Sequence, residues 1–388
     1  MGQLMDNKKR PLKVIVAGGG TAGHINAGIA IFDEFKKQDV KSDNKQSTEL
    51  LFVGTKRGME KILIPKAGYN INFISSRGLN RQRFHIFIYS LLLIPVSIIQ
   101  SIKIIMRFKP DVVIGVGGFA SGPFVLASRL FRLPVFLLEQ NAVMGFTNKR
   151  LIKYALKVFS AFPLDGLCEA YKKKIIQVGN PIRSSIKKAV SQDLKAKDPK
   201  TKDGIKSIKP FTIFVFGGSQ GARAINQTLV ASIKLLNSTK DIKLIHQTGK
   251  LDFEMVKAVY NEAGFDHQVS DYIYDIEKIY TECDVVICRA GASTIFELIA
   301  SETPSILIPL PTAANDHQRH NAMFLSRLGC AELIEQSDFT PQKLYERIRH
   351  YMENRLELNS MRSALKVLSS NTKQNAAELI VKEIKRNV

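Results

Sequence analysis

Three glycine-broken strand ends and one serine–threonine–glutamate cluster are where this chain could do chemistry. The stretch VIVAGGGTAGHINAG (14–28) is an apolar run that stops on Gly18, Gly19 and Gly20 and then meets a lone histidine, His24. The pattern returns as IFVFGGSQGARAIN (213–226), and GVGGFASGP (115–123) adds Gly117, Gly118, Ser121 and Gly122. Missing Cβ atoms let a ligand approach the backbone, and a helix opened by such a turn offers free N–H groups to an anion. The 115–123 cluster, turned by Pro123, reads as a diphosphate nest or as a tight strand-to-helix turn.

The stretch RAGASTIFELIASETPSILIPLPTAANDHQRHNA (289–322) is the sharpest. Ser293 and Thr294 open a helix whose N-terminus can receive phosphate. Glu297 follows Thr294 at i+3 and faces the same helix end, where a carboxylate can accept both hydroxyls of a ribose. Thr294 and Glu297 also satisfy a capping box, and the two roles are compatible. Gly18, Gly20 and Gly23 match G-x-G-x-x-G, but a dinucleotide site also needs an acid at the end of the second strand. That end reads Gly54-Thr55-Lys56-Arg57, which leaves only a reading in which Lys56 or Arg57 meets a 2′-phosphate.

The elements that position these residues alternate. LKVIVAG, LLFVGT, INFIS, DVVIGVGG, PVFLLEQ and KVFSAF in the first half read as strands, as do FTIFVFGGS, IKLIHQTG, DVVICRAG and SILIPLP in the second. These runs lack polar alternation, as expected of parallel strands covered on both faces by helices. Stretches such as GHINAGIAIFDEFKKQ and GASTIFELIAS supply the helices. The expected fold class is α/β, with two Rossmann-like, doubly wound parallel-sheet domains facing a cleft. Asn180-Pro181 breaks the chain between residues 1–183 and 184–371, and a last helix at about 372–388 can pack back on the first domain. The charged stretch 195–210 reads as a surface loop.

At 388 residues the chain accommodates two domains, and 45% hydrophobic residues exclude global disorder. Its four cysteines form no C-x-x-C pair, which points to a reducing compartment without disulfides or structural zinc. The basic N-terminal stretch lacks an apolar core, so a cleaved signal peptide is not expected. Lys and Arg number 56 against 35 Asp and Glu, a net charge of +21. Such a surplus either attracts an anion (nucleic acid, a phosphorylated ligand or an anionic lipid surface) or reflects a generally basic proteome. Against nucleic acid, the glycine loops lack interleaved aromatics and no recognition motif is present.

Residues 77–109, RGLNRQRFHIFIYSLLLIPVSIIQSIKIIMRFK, carry no Lys, Arg, Asp or Glu from Phe84 to Ile102. That length approaches a transmembrane helix. Spanning would put two strands of one sheet on opposite sides of a bilayer, so a crossover helix is expected. Its apolar excess, flanked by Arg77, Arg81, Arg83, Lys103, Arg107 and Lys109, fits an anionic membrane face.

The three glycine loops, Glu139-Gln140-Asn141, VGNPIR (178–183) and the Gly-x-Ser-Thr…Glu…Pro…Asp-His-Gln array together resemble the MurG family of peptidoglycan glycosyltransferases, in the same order from about residue 12 to 325. The resemblance implies a GT-B enzyme that moves GlcNAc from UDP-GlcNAc to the C4 hydroxyl of the muramyl sugar of lipid I, giving lipid II with inversion. It places Thr21, Ala22 and Gly23 at the donor's sugar side and Asn141, Arg183 and Ser219 on sugar and diphosphate. Ile273 would touch uracil, Ala292, Ser293, Thr294, Ile295, Phe296 and Glu297 would hold phosphate and ribose, and Gln318 would bind the GlcNAc hydroxyls. Gly117, Gly118, Ser121 and Gly122 become the acceptor's diphosphate loop. An inverting transfer needs a base: His24 is placed for it or else only hydrogen-bonds the acceptor or props its loop, with Glu139 as the alternative base or the partner that orients the imidazole. No cofactor and no metal are expected, since helix N-termini can take the place of Mg²⁺. The implied location is peripheral, on the cytoplasmic face of the inner membrane, with a cell-wall synthesis complex as a further partner.

Ala22, Ala27 and Glu302 stand where the family commonly has glycine, proline and glycine. Glu302 falls at a helix C-terminus, where left-handed freedom is wanted. Three other readings stay open: a glycolipid synthase, a UDP-GlcNAc 2-epimerase and a non-catalytic nucleotide-sugar binder. An epimerase would be soluble and should lack the 77–109 segment. A binder would tolerate loss of His24 and Glu139.

Overall fold

The computed structural model describes residues 10–41, 47–78, 84–182, 185–186, 209–371 and 375–388. The chain divides into two compact units, one of Met1–Gln140, Met144–Ile182 and Gln374–Val388, the other of Asn141–Val143 and Arg183–Lys373.

The first unit is a seven-stranded sheet: β1 (Lys13–Gly18), β2 (Glu49–Gly54), β3 (Asn70–Phe73), β4 (Val112–Gly117), β5 (Val135–Glu139), β6 (Lys157–Ser160) and β7 (Ile175–Gln177). Its order is β3-β2-β1-β4-β5-β6-β7, with every pairing parallel. The helices are α1 (Ala22–Lys41), α2 (Glu60–Lys66), α3 (Phe84–Phe108), α4 (Ser121–Leu130), α5 (Phe146–Leu151) and α6 (Glu169–Lys172). Strand alternation builds two cores. Val14 and Val16 pack with Ile31, Phe32 and Phe35 of α1, while Ile15 and Ala17 pack with Phe124 and Val125 of α4.

The second unit repeats the plan with β8 (Phe211–Phe216), β9 (Ile242–Gln247), β10 (Asp266–Ser270), β11 (Val285–Cys288), β12 (Ser305–Leu307) and β13 (Glu332–Leu333). The order is β10-β9-β8-β11-β12-β13, again parallel throughout. Its helices are α7 (Arg223–Leu236), α8 (Phe253–Tyr260), α9 (Ile276–Glu282), α10 (Ala292–Ser301), α11 (His317–Arg327), α12 (Pro341–Glu353) and α13 (Arg355–Asn371). The last helix, α14 (Ala376–Arg386), lies in the first unit, where Ile380, Val381 and Ile384 join the α1 core and Lys385 pairs with Asp39 at 3.6 Å. In each sheet the strand order reverses beside the first strand, between β1 and β4 and between β8 and β11, and ligands bind at such points.

The apolar segment is the crossover from β3 to β4, both strands of one sheet, so α3 does not cross a bilayer. It is apolar on both faces, with Ile98, Ile102 and Ile105 against the core of the sheet. Ser90, Ser97 and Ser101 are buried, and Ser97 and Ser101 donate their hydroxyls to the carbonyls of Leu93 and Ser97. Ile88, Leu92, Val96, Ile99 and Met106, spaced along one helical face, are exposed, Leu92 by 68% and Met106 by 59%. The exposed residues form a contiguous apolar patch on the surface of the first unit.

Candidate active site

In the first unit the switch point brings two glycine loops together. The β1–α1 loop runs through Gly19 and Gly20 at positive φ, and α1 opens at Ala22, which puts His24 in its first turn. Thr21 Oγ1 lies 3.0 Å from His24 Nδ1, which turns the ring so that Nε2 faces the β4–α4 loop. A Cβ on Gly117 (φ +92) would fall 2.8 Å from that nitrogen. Beside it, a Cβ on Gly118 (φ +79) would fall 1.9 Å from the carbonyl oxygen of Gly19, so only glycine lets the loops touch. Ser121 and Gly122 form the first turn of α4, and Ser121 Oγ is buried with no hydrogen-bond partner among the described residues.

Thr21, Ala22, Gly23, His24, Gly117 and Gly118 thus gather at one edge, and β5 delivers Glu139 and Gln140 nearby. Gln140 Nε2 donates to Gly23 O at 3.3 Å. Glu139 Oε2 accepts from Gly145 N at 2.8 Å and from Asn148 Nδ2 at 2.9 Å, so this carboxylate shapes the turn into α5. One organiser escaped the sequence reading. Glu60, fully buried at the start of α2, accepts from Gly20 N at 3.0 Å through Oε2 and from Thr55 N and Oγ1 at 2.8 Å each through Oε1. Its position five residues beyond Thr55 carries no periodic signal.

In the second unit Ser219 follows Gly218 in the loop after β8. Gln247 Nε2 donates to Gly218 O at 3.1 Å and Gln247 Oε1 accepts from Ile273 N at 2.9 Å, so one amide sets Ile273 against the Ser219 loop. Helix α10 opens at Ala292 with Gly291 as N-cap, and Ser293 Oγ is buried without a hydrogen-bond partner among the described residues. Free N–H groups and an unsatisfied hydroxyl at a helix N-terminus fit a phosphate. Glu297 is buried one turn later and accepts from Tyr280 OH at 3.1 Å. The helix starts three residues too early for Thr294 to be its N-cap, so Thr294 and Glu297 do not form a capping box. Ile295 and Phe296 are buried, which leaves backbone as what they offer a ligand.

Gln318 Oε1 accepts from Leu310 N at 3.0 Å at the start of α11. The turn before it holds Asn315 (φ 51) and Asp316 (φ 54) in the left-handed region, strain of the kind that collects at ligand sites. Asn141 belongs to this unit, where Asn321 Nδ2 donates to its Oδ1 at 3.2 Å and to Ala290 O at 3.1 Å. Neither Asn321, Tyr280 nor Gln247 stood out in sequence, because each acts across many residues. Arg183 lies outside the described residues. Of the three departures, Ala27 is fully buried in the α1 core, Ala22 opens α1, and Glu302 adopts the left-handed conformation (φ 54, ψ 33) at the end of α10.

Two all-parallel Rossmann-like sheets with their ligand-facing loops at the switch points define the GT-B fold. Residues 14–160 match the glycosyltransferase family 28 N-terminal domain and residues 212–383 the family 28 C-terminal domain, and the chain belongs to that family. It is 39% identical over 351 residues to the UDP-N-acetylglucosamine–N-acetylmuramyl-(pentapeptide) pyrophosphoryl-undecaprenol N-acetylglucosamine transferase of Myxococcus xanthus, covering 90% of this chain and 87% of that one. It is 36% identical to the transferase of the same name from Trichlorobacter lovleyi, over 97% and 98% of the two chains. Among solved structures, Acinetobacter baumannii MurG superposes with a TM-score of 0.73 at 28% identity, covering 97% of this chain and all of that one.

Proposed function

We propose that this chain transfers GlcNAc from UDP-GlcNAc to the C4 hydroxyl of the N-acetylmuramyl sugar of lipid I, forming lipid II with inversion. The observation that carries the reading is α10. Its open N-terminus, the orphaned Ser293 hydroxyl and the Tyr280-held Glu297 form a diphosphate-and-ribose receptor, in a chain that matches transferases of that name along nearly their whole length.

In this reading the diphosphate sits on the N–H groups of Ala292–Thr294 and on Ser293, with Arg183 and Ser219 beside it. Glu297 takes the ribose hydroxyls, and Ile273 lies against uracil. Asn141 and Gln318 hold the sugar in the second unit. As the C4 hydroxyl attacks C1, the bond to the UDP oxygen breaks and the α10 dipole stabilises the charge that develops there. His24 takes the hydroxyl proton. The bonds from Gly145 and Asn148 to Glu139 favour a shaping role for that residue and His24 as the base. The Gly117–Gly122 loop receives the acceptor's diphosphate.

The exposed apolar face of α3, with Lys103 and Arg107 beside it, supports a peripheral seat on the cytoplasmic face of the membrane, where the polyprenyl tail of the acceptor remains. The test supplies purified protein with labelled UDP-GlcNAc and a short-chain lipid I analogue, with and without EDTA. Label entering lipid regardless of EDTA is the expected result. Release of UDP without labelled lipid would point to an epimerase or another acceptor, and binding without turnover to a nucleotide-sugar sensor.

A further inference from the structure

A cavity of about 320 Å³ opens in the first unit between the β2–α2 loop, the end of β3 and the first half of α3. Phe73, Ile74, Tyr89 and Leu93 supply apolar walls, and Lys56 and Arg57 stand at its rim. Both cations are exposed, and neither makes an ion pair or hydrogen bond among the described residues. Most other polar lining is already engaged: Thr55 by Glu60, Ser75 by Gln100, and Ser76 by the Phe119 carbonyl at 2.6 Å. The cavity therefore offers two unspent positive charges above an apolar slot, which is complementary to an anionic group carried on a hydrocarbon chain.

Its neighbours narrow the occupant. The Glu60 carboxylate that binds Thr55 in the cavity wall also binds Gly20 of the first glycine loop. The Ser76 hydroxyl that lines the cavity reaches Phe119 of the second. The slot thus abuts both loops on one side, and on the other Tyr89 and Leu93 lead onto the exposed α3 face. A molecule whose sugar sits at the loops and whose tail lies along α3 would cross this slot, with the two cations beside the phosphate nearer its tail.

We infer that this cavity seats the lipid-proximal phosphate and first isoprene units of a polyprenyl-diphosphate acceptor, with Lys56 and Arg57 on the phosphate and Tyr89 and Leu93 on the chain. The inference rests on the acceptor reading above and adds a subsite beyond the glycine loops. Lys56→Gln and Arg57→Gln, alone and together, are compared with the unaltered protein on a detergent-dispersed short-isoprenoid lipid I analogue, and all are assayed for binding to phosphatidylglycerol vesicles without acceptor. Turnover by the unaltered protein tests the acceptor reading itself. The subsite predicts an acceptor KM raised about tenfold per cation removed, with the donor KM, kcat and vesicle binding unchanged. Tyr89→Ala then narrows the preference for isoprenyl over methyl diphosphate analogues. An unchanged acceptor KM overturns the inference. Lost vesicle binding with an unchanged acceptor KM also overturns it and assigns the cations to phospholipid.

Discussion

The imidazole of His24 rests on the backbone of Gly117, so close that a single methyl group there would meet Nε2 at 2.8 Å. One residue at the end of β4 thereby controls where the proposed base points. His24→Ala should lower kcat by about 10²–10⁴. Gly117→Ala, which adds strain at φ +92 and displaces the ring, should lower kcat about tenfold or more while the donor KM holds. Steady-state kinetics with donor and acceptor varied separately check both.

Tyr280 reaches Glu297 from a different helix, and its hydroxyl is the only part that Tyr280→Phe removes. A lost hydrogen bond to a charged group is worth about 1.5–3 kcal/mol. The variant should raise the KM for UDP-GlcNAc about tenfold or more with little change in kcat, and UDP titration calorimetry should show the same loss. An unaltered UDP affinity would remove Glu297 from the ribose site.

Glu302 ends α10 in a left-handed conformation that costs a non-glycine residue roughly 1–2 kcal/mol. Glu302→Gly should stabilise the second unit by about 1 kcal/mol and raise its Tm by about 2–4 °C, with turnover unchanged. A lower Tm would show that the carboxylate has a role of its own.

His246 is wholly buried between Tyr260 OH and Asn226 Oδ1, each 3.1 Å away, and burial pulls its pKa down to about 3. Its folded pKa lies below the ordinary histidine value of about 6.5, so the unfolded chain takes up the proton first. The stability gained by keeping it neutral is complete above about pH 6.5 and is lost at ~1.4 kcal/mol per pH unit as the medium acidifies toward pH 3. Urea unfolding at pH 7 and pH 5 should differ by about 2 kcal/mol from this residue, and His246→Gln should lack that part of the slope.

Leu92 and Ile99 sit on the exposed face of α3, where charge should disturb nothing inside the sheet. Leu92→Asp with Ile99→Asp should cut binding to anionic vesicles at least a hundredfold, since each buried aliphatic side chain is worth ~1.5–3 kcal/mol. Transfer to a water-soluble acceptor should persist. Vesicle sedimentation beside a soluble assay separates the two effects.

The central strands and their glycine ends could be read from sequence because they are buried on both faces and therefore apolar, from Val14 to Ala17 and from Ile213 to Phe216. The outer strands β7, β10 and β13 could not. They are two to five residues long and half exposed, and DHQVS at 266–270 has no buried residue to betray it. The site divides in the same way. His24, Gly117, Ser293 and Glu297 announce themselves by type and spacing, whereas Glu60, Tyr280, Gln247 and Asn321 act on partners 17 to 40 residues away or farther. A local pattern cannot show which distant hydroxyl, amide or carboxylate the fold will bring to a loop.

Glu60 has one more consequence. The glycine-broken strand ends look interchangeable in sequence, yet the amide of Gly20 already points at the protein's own carboxylate, while the Ser121 and Ser293 hydroxyls in the first turns of α4 and α10 have no hydrogen-bond partner among the described residues. An incoming phosphate would meet a resident anion at the β1–α1 loop and none at those two helix starts. The repeated glycine turn has thus been put to a different use in the first unit, where an internal acid occupies the β1–α1 loop and leaves phosphate to other loops.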